Sequence, residues 1–115
     1  MIRFSPTDIK AINNDFNYAE NPWVDDNLLN SAFSSYYYYE DELEQICSIF
    51  RGLIKNHAFS DGNKRTASAM LVSYLEQYEL DITEENLCAL ALDVANNNYD
   101  IPKIAKKLKS LLTDI

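Results

Sequence analysis

Between Glu40 and Lys55 the apolar residues Leu43, Ile46, Cys47, Phe50, Leu53 and Ile54 recur at spacings of three and four. That is the period of one face of an α-helix, and it predicts a stripe that must be buried. A second run, from about Asn63 to Tyr78, puts Ala67, Met70, Leu71, Tyr74, Leu75 and Tyr78 on one face. Two such helices separated by a short loop dictate a helical scaffold. The chain has only two glycines and three prolines, too few for a turn-rich β sandwich.

The remaining segments follow the same pattern. Ser5-Pro6-Thr7-Asp8 reads as a helix start, with Ser5 as cap, Pro6 in the first turn and Asp8 at the positive end of the dipole. Ile9 and Ile12 face inward, and the helix should end near Asn14. From Asn17 to Asp25 there is no periodicity and an Asn21-Pro22 pair, which predicts a loop or flap. Trp23 within it is expected to anchor the loop to the core. Asp25 or Asp26 can cap a short helix carrying Leu28, Leu29, Ala32 and Phe33. Tyr36 to Tyr39 cannot all face one core and read as a half-buried connection. Thr83 caps a helix with Leu87, Leu90, Ala91, Val94 and Ala95 inward. Asp100-Ile101-Pro102 opens the last helix, with Ile104, Ala105, Leu108, Leu111 and Leu112 inward and Lys103, Lys106, Lys107 and Lys109 as a solvated face. The expected fold is an all-α, compact single-domain bundle of about six helices spanning residues 1–115, with the loop between its two central helices.

A chain of 115 residues, 47% hydrophobic, can bury one core. Its formal net charge of −8 argues against nucleic acid as a partner, because phosphate backbones select basic surfaces. Cys47 and Cys88 fit no metal-ligand spacing and fall on apolar helical stretches, so both are expected as buried free thiols. Met1-Ile2-Arg3-Phe4-Ser5-Pro6 has no apolar leader region, and no apolar run is long enough to span a bilayer. No membrane association and a cytoplasmic location are the expectation.

The loop itself, His57-Ala58-Phe59-Ser60-Asp61-Gly62-Asn63-Lys64-Arg65, holds the chain's single histidine close to an acid, a glycine, an amide and two cations. Its second half opens a helix. Free N–H groups at a helix N-terminus bind anions, and the dipole assists. Gly62 lets the backbone approach a phosphate. Arg65 can grip phosphate oxygens through two N–H groups, Lys64 acts as a mobile charge, and Asn63 can donate a neutral hydrogen bond. Asp61 beside a phosphate makes sense with Mg²⁺, which is held by one or two carboxylates plus substrate phosphates. His57 is placed to take a proton from an attacking hydroxyl, and Phe59 is a buried peg. Singly, each residue has a plainer reading as turn or solvated surface. Together, cations at the wrong end of a helix dipole imply an anion to offset them.

At these residues the sequence resembles the Fic/Doc family, whose loop reads His-x-Phe-x-Asp/Glu-Gly-Asn, a variable position, then Arg. His57, Phe59, Asp61, Gly62, Asn63 and Arg65 all match. The resemblance covers the whole chain and is nearest to the Doc-type toxins of phage toxin–antitoxin modules. Fic adenylyltransferases usually carry Gly after the Asn and a further Arg three positions beyond the motif's Arg; here those positions are Lys64 and Ser68. Doc-type proteins are similar to this chain at both, although Doc has Ala where this chain has Gly62.

The resemblance implies a nucleotide-dependent transferase using ATP and Mg²⁺. Fic enzymes move AMP to a hydroxyl; Doc-type toxins bind ATP the other way round and move the γ-phosphate to a threonine of elongation factor Tu, which halts translation. The implied roles are His57 as general base, Asp61 as metal ligand, and Gly62, Asn63, Lys64 and Arg65 as the nucleotide-phosphate site, with Asp61, Asn63, Lys64 and Arg65 counted in the catalytic machinery. An AMP-transferase with an altered loop and a non-catalytic binding module are the alternatives. The family's inhibitory pattern, Ser/Thr-x-x-x-Glu-Gly/Asn, is not found; Thr83, for example, is followed four positions on by Leu87. Inhibition would then come in trans from a Phd-like antitoxin. Tyr36 to Tyr39 or Trp23 could serve that contact, and the flap from Asn17 to Asp25 lies where family members align a target peptide.

Overall fold

The computed structural model describes residues 3–114. Met1 and Ile2, which open the stretch expected to carry no leader, and Ile115 lie outside the described residues. Among the described residues there are six α-helices: α1 (Pro6–Phe16), α2 (Asp26–Ser31), α3 (Glu42–Asn56), α4 (Asn63–Glu76), α5 (Glu84–Asn96) and α6 (Ile101–Leu111). A 3₁₀ turn covers Tyr36–Tyr38. The all-α expectation holds, and the loop lies between α3 and α4.

Helix α3 is the axis of the bundle. It packs against α2, α4, α5 and α6, and α1 packs on α4. Its apolar stripe forms the centre of the core: Cys47, Phe50, Leu53 and Ile54 are buried on α3, facing Met70, Leu71 and Leu75 of α4 and Ile104 and Leu108 of α6 in one cluster. Each fully buried aliphatic side chain of this kind contributes about 1.5–3 kcal/mol. A cysteine on this stripe behaves as a small hydrophobe, and burial pushes the Cys47 thiol up to about 12. At Gly52 the end of α2 rests directly on α3, where an added Cβ would meet Ala32 Cα at 2.7 Å.

Several sequence expectations are corrected. Helix α1 runs to Phe16, past Asn14, because Asn13 is buried on its inner face and satisfied there. The Trp23 indole does not anchor the flap to the core; the residue is 55% exposed. Cys88 is exposed, on the flank of α5 beside the stripe. Tyr78 lies past the end of α4 and is exposed. Of the tyrosine run, Tyr36 and Tyr39 pack against the core as a half-buried connection does, while Tyr37 and Tyr38 stand in solvent. The lysine face of α6 is not simply solvated: Lys103 and Lys107 lie over the Tyr99 ring at 4.5 and 4.9 Å, and Lys107 pairs with Asp93 at 3.3 Å. A two-residue antiparallel pair, β1 (Leu80–Asp81) with β2 (Thr113–Asp114), closes the C-terminal end. Among the described residues no helix is long and apolar enough to cross a membrane.

Candidate active site

His57 ends α3 in a left-handed conformation, φ 51° and ψ 50°. That position usually falls to Gly or Asn, and a β-carbon there costs roughly 1–2 kcal/mol. The imidazole is exposed and has no hydrogen-bond partner among the described residues. A strained, exposed and unpartnered histidine contributes little to the fold and is free to act on a ligand.

The following residues fix the loop from beneath. Ala58 and Phe59 are buried, Phe59 as the expected peg. The Asn63 amide grips the Phe59 backbone in both directions, accepting from its N–H at 3.1 Å and donating to its carbonyl at 2.9 Å. Asn63 therefore acts first on the loop's own shape. Gly62 has φ +78°, and a Cβ there would meet the Phe16 carbonyl oxygen at 2.5 Å. Glycine is thus required by the close approach of the end of α1, a reason independent of any phosphate.

Gly62 is also the N-cap of α4, and it can offer no side-chain cap. The other five helices are all closed by a side-chain oxygen: Ser5, Asp25, Asp41, Thr83 and Asp100. Among the α-helices of the described residues, only α4 begins without a side-chain cap on its first N–H groups, and its first turn holds no acid. Lys64 and Arg65 are exposed in that same turn. This end of α4 carries dipole, donors and cations together, a combination suited to an anion.

Asp61 is engaged on both oxygens. Oδ2 accepts the Tyr18 N–H at 2.9 Å, and Oδ1 pairs with Arg65 Nη2 at 3.0 Å. The Tyr18 N–H, foremost, and the Arg65 charge hold its carboxyl below the usual carboxylate value. The Arg65 guanidinium lies 5.0 Å from the centre of the exposed Tyr18 ring. Among the described residues no group of three or more His, Cys, Asp or Glu could hold a metal by itself. A single carboxylate still fits Mg²⁺, which takes its other ligands from phosphate and water, since each carboxylate oxygen retains a second lone pair.

The flap, residues 17–25, is tied to this loop by its backbone. Val24 bridges antiparallel to Phe59. The Asp25 N–H donates to the Ala58 carbonyl at 2.7 Å, and the Ser60 N–H donates to the Trp23 carbonyl at 3.1 Å. Beyond Lys64, Arg65 and Ser68, a mainly apolar groove of about 590 Å³ runs along α4 and α5, with Val72, Leu87 and Leu92 in its walls.

The structure brings Asp61, Gly62, Asn63, Lys64 and Arg65 together on one loop and helix start, with His57 at the loop's other end. It also contains residues that sequence reasoning missed. Asn13 and Thr66 are buried under the loop, and Asn17 and Ser60 join it to the flap. A signal existed for two of them: Asn13 falls four residues after Ile9, and Thr66 four before Met70, so both are polar residues on apolar stripes.

No curated protein matches the chain in a sequence comparison. The sequence model of the Fic/DOC family matches residues 4–75, more than half of the chain, covering α1, the flap, α2, α3, the loop and nearly all of α4. The chain therefore belongs to the Fic/DOC family, membership that implies a transferase acting on proteins, in a family that generally uses ATP and Mg²⁺.

Proposed function

We propose that this protein is a Doc-type kinase, moving the γ-phosphoryl group of ATP to a threonine or serine hydroxyl of a protein, with elongation factor Tu as target and arrested translation as the outcome. The observation that carries the reading is the start of α4, where the missing side-chain cap coincides with Lys64 and Arg65 in the first turn. Phosphate oxygens would be bound there by backbone N–H groups, by the bidentate guanidinium and by the Lys64 ammonium. Asp61 would hold Mg²⁺, whose contribution when bound is to neutralise and orient the phosphate oxygens.

His57 takes the proton of the acceptor hydroxyl. The hydroxyl oxygen forms its bond to the γ-phosphorus as the bond from that phosphorus to the β–γ bridging oxygen breaks, and ADP leaves. Little covalent chemistry falls to the protein, and placement and charge supply most of the rate. The flap offers a place for the acceptor peptide: Trp23 and Asp25 spend backbone groups on the loop, and the Val24 pairing is confined to a single bridge. The apolar groove beyond Lys64 has a size suited to a nucleoside.

Phosphoryl transfer is favoured over AMP transfer by what lines the groove mouth. Ser68 there supplies a hydroxyl where AMP-transferring relatives carry a second guanidinium, and Lys64 adds bulk and charge where they have glycine. Gly62 does not tip the balance back, because the Phe16 carbonyl demands it. Restraint would come from a Phd-like antitoxin in trans. The test is incubation with elongation factor Tu, Mg²⁺ and ATP labelled at the α or the γ phosphate. Transfer of γ label is expected, and transfer of α label alone would overturn the reading.

A further inference from the structure

We propose that Asn17 is a positioning residue: with Asn13 and Ser60 it forms a saturated hydrogen-bond relay that fixes the flap against the catalytic loop. Asn17 is the C-cap of α1, and its N–H donates to the Asn13 carbonyl at 2.9 Å. Its amide nitrogen donates to Asn13 Oδ1 and to Ser60 Oγ, both at 3.1 Å. Its amide oxygen accepts from the Ala19 N–H at 3.1 Å and from the Ser60 hydroxyl at 3.4 Å. Ser60 Oγ also accepts the Trp23 N–H at 3.0 Å, on the flap. At the other end, Asn13, only 4% exposed, donates to the Asp61 carbonyl at 2.9 Å and to Thr66 Oγ1 at 3.1 Å.

The relay therefore runs Thr66–Asn13–Asn17–Ser60–Trp23, from the first turns of α4 through α1 to the flap. An amide has two donors and two acceptor sites, and a hydroxyl has one donor and two acceptor sites. Both Asn17 groups are fully used, both Asn13 amide hydrogens are used, and the Ser60 hydroxyl is fully used. No member can turn away without giving up a protein partner, and at buried Asn13 and Thr66 that partner would be left unpaired, which makes the relay a strut rather than a collection of exchangeable contacts.

Its two ends lie on the two halves of the site. Asn13 holds the carbonyl of Asp61 and the side chain of Thr66, on the side read as the phosphate site. Ser60 holds the flap, the side read as the acceptor site. None of the three side chains carries an ionisable group for the chemistry, so their contribution is register: the acceptor hydroxyl and the transferred group must meet at His57 within a fraction of an ångström. This last step rests on the kinase reading above.

The experiment compares Asn17→Ala and the milder Ser60→Ala with the unmodified protein. Trp23 is the only tryptophan and lies on the flap, so its fluorescence reports flap docking directly. Expected in both variants are a cooperative melt, unchanged affinity for Mg²⁺–ATP, and acrylamide quenching of Trp23 raised toward that of the unfolded chain. Turnover onto elongation factor Tu should fall by roughly a hundredfold, the scale for an ångström of misplacement, with KM for ATP unmoved. Unchanged Trp23 quenching in both variants would overturn the proposal, as would a loss of ATP affinity equal to the loss of turnover. The quenching comparison needs no nucleotide, so its failure is distinct from failure of the kinase reading.

Discussion

Tyr18 and Asp61, 43 positions apart, are joined by a 2.9 Å hydrogen bond from the Tyr18 N–H to Asp61 Oδ2. The carboxylate proposed as the metal ligand is thus also an anchor of the flap. Asp61→Asn keeps an acceptor for the Tyr18 N–H and removes the charge. Trp23 emission should therefore stay as in the unmodified protein, while phosphoryl transfer falls by roughly a hundredfold or more. Asp61→Ala removes both functions, and Trp23 emission should shift toward that of the unfolded chain. Fluorescence and transfer, measured on the same samples, separate the two roles.

Among the described residues, three carboxyls lie below their ordinary value of 3.8: Asp61 through the Tyr18 N–H, Asp8 through the Ser5 N–H and hydroxyl, and Asp93 through the Tyr99 hydroxyl. Between the folded and unfolded values the unfolded chain binds more protons. The stability these groups contribute is complete above 3.8 and disappears as the pH falls through their folded values. Thermal melts taken from about pH 6 down to about pH 2 should show a falling Tm in the acid range. Asp93→Asn should flatten that fall, and a Tm that rises on acidification would contradict the assignment.

Gly62→Ala meets two obstacles, a positive φ and the Phe16 carbonyl oxygen at 2.5 Å. The left-handed conformation alone costs a non-glycine residue about 1–3 kcal/mol. Phe16 is the last residue of α1, so relief of the clash displaces the start of the flap as well. Urea denaturation should show a lower midpoint, and Mg²⁺–ATP binding should weaken.

The two thiols should differ sharply. Cys47 is buried, with its thiol pushed up to about 12, whereas Cys88 is exposed on the wall of the groove beside Lys64. Thiolate is the reactive form, so a maleimide should label Cys88 in the native protein and Cys47 only after unfolding. Peptide mapping of the labelled chain would show the order.

Much of this was legible in the sequence. The helix starts are readable at Ser5, at Asp25 or Asp26, at Thr83 and at Asp100, with Ser5, Asp25, Thr83 and Asp100 observed as side-chain caps, and the α3 stripe and the α4 stripe up to Leu75 sort inside from outside. Local hydrogen bonding and period act within a few residues, so a sequence displays them. The flap was not legible in the same way. Its docking depends on Tyr18 meeting Asp61 and Trp23 meeting Ser60, contacts across 43 and 37 positions to which the flap contributes only backbone N–H groups that nearly every residue shares. Trp23 looked like an anchor because large aromatics are usually buried, yet the backbone bonds hold the flap and leave the indole exposed. Cys88 sits one residue after Leu87 at the edge of the α5 stripe, where a small shift in helix rotation decides exposure. The role of Gly62 needed the position of Phe16, which no local pattern contains.

The most direct test of a phosphoryl-transferring site centred on His57 is the mass gained by acceptor proteins in a bacterial lysate treated with Mg²⁺–ATP and either this protein or its His57→Ala variant. The prediction is a phosphoryl group on a threonine or serine, centred on elongation factor Tu and absent with His57→Ala. An AMP-sized adduct in its place, or the same phosphoryl signal from the variant, would contradict it.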